Sequence, residues 1–126
     1  MTSTVQLGGR LVPALLVSDL QRTLAFWEAL GFRCSGVHPS RAEATWAELE
    51  RDDLRLQFHT EPPHGTPTSP ICSGTFYVFP SDVDELASEW RERVSFAWEP
   101  EDMDYGLREF GLRDPDGYFF AFAQPV

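Results

Sequence analysis

The stretch YGLREFGLRDPDGYFFAFA, Tyr105–Ala123, decides the fold. Asp114-Pro115-Asp116-Gly117 has the chemistry of a type I turn: Asp opens it, Pro sets φ at the second position, and Gly closes it. Ahead of the turn, Phe110 and Leu112 alternate with Glu109, Gly111 and Arg113, the period of a strand with two unlike faces. After it, Tyr118-Phe119-Phe120-Ala121-Phe122 is apolar on both faces, so that strand is covered on both sides. A hairpin with one doubly covered strand belongs inside a sheet, and a ligand is expected in the concavity of that sheet.

Working outward, the chain repeats one grammar. Leu11-Val12-Pro13-Ala14-Leu15-Leu16-Val17 is a strand-length apolar run. Ser18 and Gln21 have capping-box spacing, with Asp19 as the alternative cap. Leu20, Leu24, Trp27 and Leu30 then recur at helical spacing, and Gly31 supplies the stop. Strands follow at 32–37, 44–49 and 54–59, the last two joined by a turn at Arg51-Asp52-Asp53. Glu61 to Pro70 is a Pro/Gly/Thr/Ser stretch without periodicity. Beyond it come a strand at 75–79, a helix opened by Ser81-Asp82 that carries Val83, Leu86, Ala87, Trp90 and Val94 on one face, a short strand at 96–98, and the hairpin. Ser18-Asp19 with Trp27 matches Ser81-Asp82 with Trp90 at an offset of 63, and Pro62 matches Pro125. The reading is a single α+β domain over 1–126 made of two βαβββ modules, about 10–62 and about 73–125, with a linker at 63–72.

The totals exclude several classes. With 126 residues, 42% hydrophobic and 24% charged, the chain is one ordinary domain with enough length for a core. A net charge of −10 argues against nucleic acid or an anionic membrane as partner, since both need a basic footprint. No apolar run approaches a membrane span, and MTSTVQLGGR does not read as a signal peptide. Two cysteines, Cys34 and Cys72, are too few for a disulfide framework, so reduced thiols and a cytoplasmic location are expected. No nucleophile elbow, phosphate-binding Gly loop or CxxC is present.

Alternation sorts the strand residues between a helix-covered face and an open one. Leu54, Leu56 and Phe58 belong under the first helix; Arg55, Gln57, His59, Trp46 and Glu48 point the other way. Phe76 and Val78 go with the second helix; Thr75, Tyr77, Phe79, Glu109, Phe119 and Ala121 face the cleft. Aromatic walls with a few carboxylate and amide groups suit a flat, partly cationic molecule.

Three segments, SDLQRTLAFWEALGF at 18–32, RDDLRLQFHTEP at 51–62 and YGLREFGLRDPDGYFFAF at 105–122, resemble the vicinal-oxygen-chelate superfamily (glyoxalase, bleomycin resistance, extradiol dioxygenase). Within it the chain is most similar to the bleomycin resistance proteins. The resemblance implies a cup-shaped mixed sheet with helices on its outer faces, and a homodimer. The superfamily's enzymes hold a divalent metal at positions that fall here at Val12, near Gln57, at Thr75 and at Ala121. Of these only Gln57 offers a serviceable donor. The resistance proteins, by contrast, sequester drugs without a catalytic metal, and Tyr105 falls close to where they carry a ring-stacking Trp. The expected site is therefore Trp46, Glu48, Gln57, His59, Tyr77, Phe79, Tyr105 and Glu109. Its expected occupant is an aromatic, cationic antibiotic such as a bleomycin-type glycopeptide, bound without a cofactor or catalysis. The alternative is a glyoxalase- or dioxygenase-like enzyme with a divalent metal displaced onto Gln57, His59, Glu48 and Glu109.

Other constellations are weighed against plainer readings. His38, His59 and His64 with Glu61 could suggest a metal set, but two of them sit in Pro-containing loops. Glu48 and Glu109 could form an acid–base pair across the cup, or one of them could pair with Arg55 or Arg108. The acidic run Glu99-Pro100-Glu101-Asp102-Met103-Asp104 reads as a solvated loop.

Overall fold

Asp19 and Asp82, 63 residues apart, start the two helices in the same way. Each has an extended backbone, φ −142° and −149°, and each carboxylate accepts the backbone N–H three residues on, from Arg22 and Glu85. Such a cap contributes about 1 kcal/mol. The structure is a computed structural model describing residues 11–61 and 69–126; Pro62, His64 and most of the expected linker lie outside the described residues. The first module is β1 (Ala14–Leu16), α1 (Leu20–Ala29), β2 (Arg33–His38), β3 (Trp46–Arg51) and β4 (Leu54–His59). The second is β5 (Thr75–Val78), α2 (Val83–Trp90), β6 (Trp98–Asp102), β7 (Leu107–Arg113) and β8 (Phe119–Pro125). Each forms a four-stranded mixed sheet, β1-β4-β3-β2 and β5-β8-β7-β6, with one parallel pair followed by antiparallel neighbours. The two βαβββ modules are as the repeat requires.

The capping alternatives resolve in favour of Asp19. Ser18 instead donates its N–H and hydroxyl to Asp116 at 3.1 and 2.8 Å, and Gln21 donates to the Arg41 carbonyl at 2.6 Å. Gly31 follows the helix at φ +88°, where a side chain would be strained.

The acidic run departs from expectation. Trp98–Asp102 is a strand, not a loop. Pro100 and three acids read against a strand, yet β6 is the outer strand of its sheet, where an unpaired N–H is not needed and charge discourages edge-to-edge pairing. A register shift between Trp98 and Glu101 takes up the irregularity.

One core serves both modules. Trp27 of α1 packs on Phe58 of its own sheet at 6.4 Å and on Phe120 of the other at 4.8 Å. Trp90 of α2 packs on Phe110 and Phe122 at 5.9 and 4.9 Å, and its indole N–H donates to the Leu30 carbonyl across the modules at 3.1 Å. The helix-covered faces of both sheets therefore share their burial. The opposite faces, which carry the expected site residues, turn away from this core. No helix among the described residues is long and apolar enough to cross a membrane.

Candidate functional site

The centre of the site is Glu109, on β7. Its side chain is 1% exposed, yet none of the described arginines pairs with it. Arg108 points elsewhere, onto Asp84 and Asp102 at 2.9 and 3.1 Å. The Glu109 carboxylate is held instead by three neutral donors: the Tyr105 hydroxyl at 2.5 Å, the Trp98 indole N–H at 3.2 Å and the Tyr77 hydroxyl at 3.3 Å. Its negative charge is therefore hydrogen-bonded but not neutralised. The hydrogen bond to Glu109, followed by that to Tyr77, pushes the Tyr105 phenol well above its ordinary range, so it stays a donor.

Two of these donors, and the ring of Phe79 beside Tyr77, stand in solvent, while Trp98 is half-buried. Tyr77, Tyr105 and Phe79 are 44, 57 and 61% exposed, and Tyr77 and Phe79 lie face to face at 6.3 Å. Apolar rings normally go inside, so three exposed rings around one buried carboxylate need a reason. The arrangement presents π faces and a negative floor to whatever lies over it, and both attract a cation.

Trp98 was not a candidate from the sequence. It lies flat on Gly111, where an added Cβ would fall 2.4 Å from the indole, and its ring neighbours Phe119 at 6.3 Å. The signal was present as an aromatic and a glycine on adjacent strands, but the pairing Trp98↔Gly111 is visible only once the strands are in register. Gly111→Ala is expected to expel the indole, removing one donor from Glu109 and costing about 1–3 kcal/mol of stability in urea unfolding. An unchanged midpoint would mean that Trp98 has room to move.

The first module's open face is built differently. Glu48 and Gln57 sit side by side in register, as do Trp46 and His59. Glu48 accepts from Gln57 at 3.0 Å, Ser35 at 2.9 Å and Arg55 at 3.0 Å, and Arg55 also reaches Glu50 at 3.0 Å. The Gln57 amide, with Ser35 and Arg55 behind it, holds the Glu48 carboxyl below its ordinary value against the opposing effect of burial. Here the acid is satisfied. Of the two pairings weighed for Glu48 and Glu109, Arg55 takes Glu48 while Arg108 leaves Glu109 alone.

The two carboxylates thus belong to separate clusters on separate sheets, and no hydrogen bond or ion pair joins them. The sequence placed both sets in one cleft because alternation reports which face a residue takes, not which faces meet. His59 Nδ1 lies 3.1 Å from the Glu61 carbonyl, and His38, expected in a loop, is the exposed last residue of β2, paired with Trp46. No group of three or more His, Cys, Asp or Glu among the described residues could hold a metal ion. At the superfamily's metal positions, Val12 and Ala121 carry no donor and Thr75 only a hydroxyl, which leaves the Gln57 amide oxygen as the one serviceable ligand of the four. These side chains do not fit the superfamily's divalent ion. Of the displaced set, Glu48, Gln57 and His59 share the first module's open face, while Glu109 lies in the other cluster.

The model of the Glyoxalase/Bleomycin resistance protein/Dioxygenase superfamily matches residues 10–122. The chain belongs to that superfamily. Solved structures agree. A bleomycin resistance determinant encoded on transposon Tn5 superimposes with a TM-score of 0.73 and 25% identity, covering 94% of this chain and 98% of that one. The bleomycin-binding protein of Streptomyces verticillus, complexed with copper(II)-bleomycin, gives 0.70 and 26%, covering 94% and 97%. TioX from Micromonospora sp. ML1 shares the fold at 0.73 and 23%, covering 94% and 100%. No curated protein matches in sequence. Within the superfamily, then, this chain keeps the two-module scaffold and fills its open faces with aromatic and acidic groups.

Proposed function

We propose that this chain is a non-catalytic small-molecule binding protein that sequesters an aromatic, cationic antibiotic of the bleomycin type. The observation that carries the reading is Glu109, a buried carboxylate without a basic partner among the described residues, held by the exposed Tyr77 and Tyr105 with Phe79 stacked on Tyr77. A planar ring would stack on Tyr77, Phe79 and Tyr105 while a charged group lies over Glu109; each such contact contributes about 0.5–2 kcal/mol. Trp46, Glu48, Gln57 and His59 would supply hydrogen bonds to the ligand's polar parts. The two bleomycin-linked relatives at 25 and 26% identity support the ligand class.

The protein works as a cytoplasmic homodimer in this reading. Its two open faces turn away from the core of their own chain, so a second copy is needed to bring the Glu48 face of one protomer over the Glu109 face of its partner. The groove so formed would shield the drug from its target with no cofactor and no chemical step. The test is titration with bleomycin, followed by tryptophan fluorescence, since Trp98 touches Glu109. Quenching that weakens with added salt is expected. No change at micromolar drug and low salt would remove the proposal.

A further inference from the structure

The two seams between the modules are related by the internal repeat but are built differently. In the first, the β7–β8 turn rests on the start of α1. Asp116 accepts from Ser18 as described and lies 3.5 Å from the Arg22 guanidinium, while the Tyr118 hydroxyl donates to the Leu16 carbonyl at 2.7 Å. Moving 63 residues along, Ser18 becomes Ser81, Asp19 becomes Asp82, and Arg22 becomes Glu85. The second seam therefore sets the β3–β4 turn, Asp52-Asp53, against an acid where the first seam offers a guanidinium. Like charges oppose closure, and a cavity of about 750 Å³ lies between the turn, the end of β5 and α2.

Its floor is apolar and buried. Phe32, Trp90 and Phe122 line it at 5, 1 and 1% exposure, with Leu54, Val78 and Leu86 beside them. Its rim is acidic: Asp52, Asp53, Asp82, Glu85 and Glu89. The single basic residue there, Arg51, is already committed. It donates to Glu89 at 2.6 and 3.1 Å and to the Leu30 carbonyl at 2.8 Å, and its guanidinium lies over Trp90 at 5.8 Å. Neither Asp53 nor Glu85 has an ion-pair partner among the described residues. The volume suits a small organic molecule, and the rim selects its charge.

We infer that this seam cavity is a second binding site, adjoining the Glu109 face and sharing Tyr77 and Phe79 with it but centred on Trp90 and the acidic rim, for a monovalent organic cation with a compact planar apolar body. The ring would settle against Trp90 and Leu86 and the charge would lie between Asp53 and Glu85. The site stands whether or not the Glu109 face binds a drug.

N-Methylacridinium is the probe, with neutral acridine as its uncharged counterpart. The host is the full chain carrying Glu109→Gln, which disables the other carboxylate. Indole N–H resonances separate the sites, because Trp90 donates to Leu30 and Trp98 to residue 109. In this host the cation is expected to shift the Trp90 resonance, to do so more tightly than acridine, and to lose about tenfold in affinity when Asp53→Asn and Glu85→Gln are added. Three results would each overturn the inference: a shift confined to Trp98 or to neither indole, equal binding of acridine, or a change of oligomeric state on adding the two rim substitutions. The last would make the cavity an interface between copies of this chain.

Discussion

Glu109→Gln is expected to weaken capture of bleomycin about 30-fold while leaving the chain at least as stable as before. The carboxylate lies 1% exposed, without a cationic partner among the described residues. Three neutral donors hold it, but hydrogen bonds do not cancel charge, and desolvating an ion costs several kcal/mol. A ligand cation would recover part of that cost, and losing it removes about 2 kcal/mol, which is the 30-fold. Glutamine can turn its oxygen to the Trp98 N–H, which only donates, and its amide to the Tyr105 and Tyr77 hydroxyls, both of which can accept. Stability is therefore expected to stay level or rise by about 1 kcal/mol in urea unfolding.

Glu48→Gln is the contrast. It removes the charge that Arg55 faces and should destabilise, because that acid already has its partners. Calorimetric titration with bleomycin, set beside unfolding of the same variants, separates the two roles. Equal affinity of wild type and Glu109→Gln would end the argument for a cation over that carboxylate.

Much of this was readable in the letters, and the reason is local physics. Asp19 and Asp82 cap, Trp27 and Trp90 fall on the buried stripe of each helix, and the Asp114–Gly117 turn places β7 beside β8; each depends on neighbours a few residues away. What escaped depends on neighbours far away. The strand expected at 96–98 lies instead at Trp98–Asp102, because the composition of that stretch opposes a strand and only its place at the sheet edge permits one. Trp98 joined the site only once β6 lay against Gly111. The pairing of Glu48 with Arg55, and the isolation of Glu109 from Arg108, turn on side-chain directions that alternation does not supply. The same holds for the two open faces: period two assigns them correctly, yet the shared packing of Trp27 on Phe120 is what turns them apart.

The Asp114 turn carries the second large effect, and its sign is opposite to the usual one for carboxylates. Asp114 is 4% exposed, and burial pushes its carboxyl up to about 6 despite the backbone N–H groups of Tyr118 and Asp116 that donate to Oδ1; the neighbouring Asp116 charge adds to the rise. Its Oδ2, like that of Asp116, is buried without a partner among the described residues. A folded-state value above the unfolded one means that the folded chain holds the proton more tightly. The resulting stability is complete below the unfolded value near 4 and is lost as pH rises through about 6. Glu48, Asp84 and Glu89, held below their ordinary values by their partners, act in the opposite sense, but only in more acid solution. Between pH 7.5 and pH 5 the Asp114 contribution is expected to be about 1 kcal/mol after allowing for solvent screening. Asp114→Asn keeps the Oδ1 acceptor and has no charge to bury, so it should gain most over wild type at pH 7.5 and lose that advantage by pH 5. Urea midpoints at the two pH values give the difference directly. If the two proteins change in parallel, the buried carboxyl of the turn is not what couples this fold to pH.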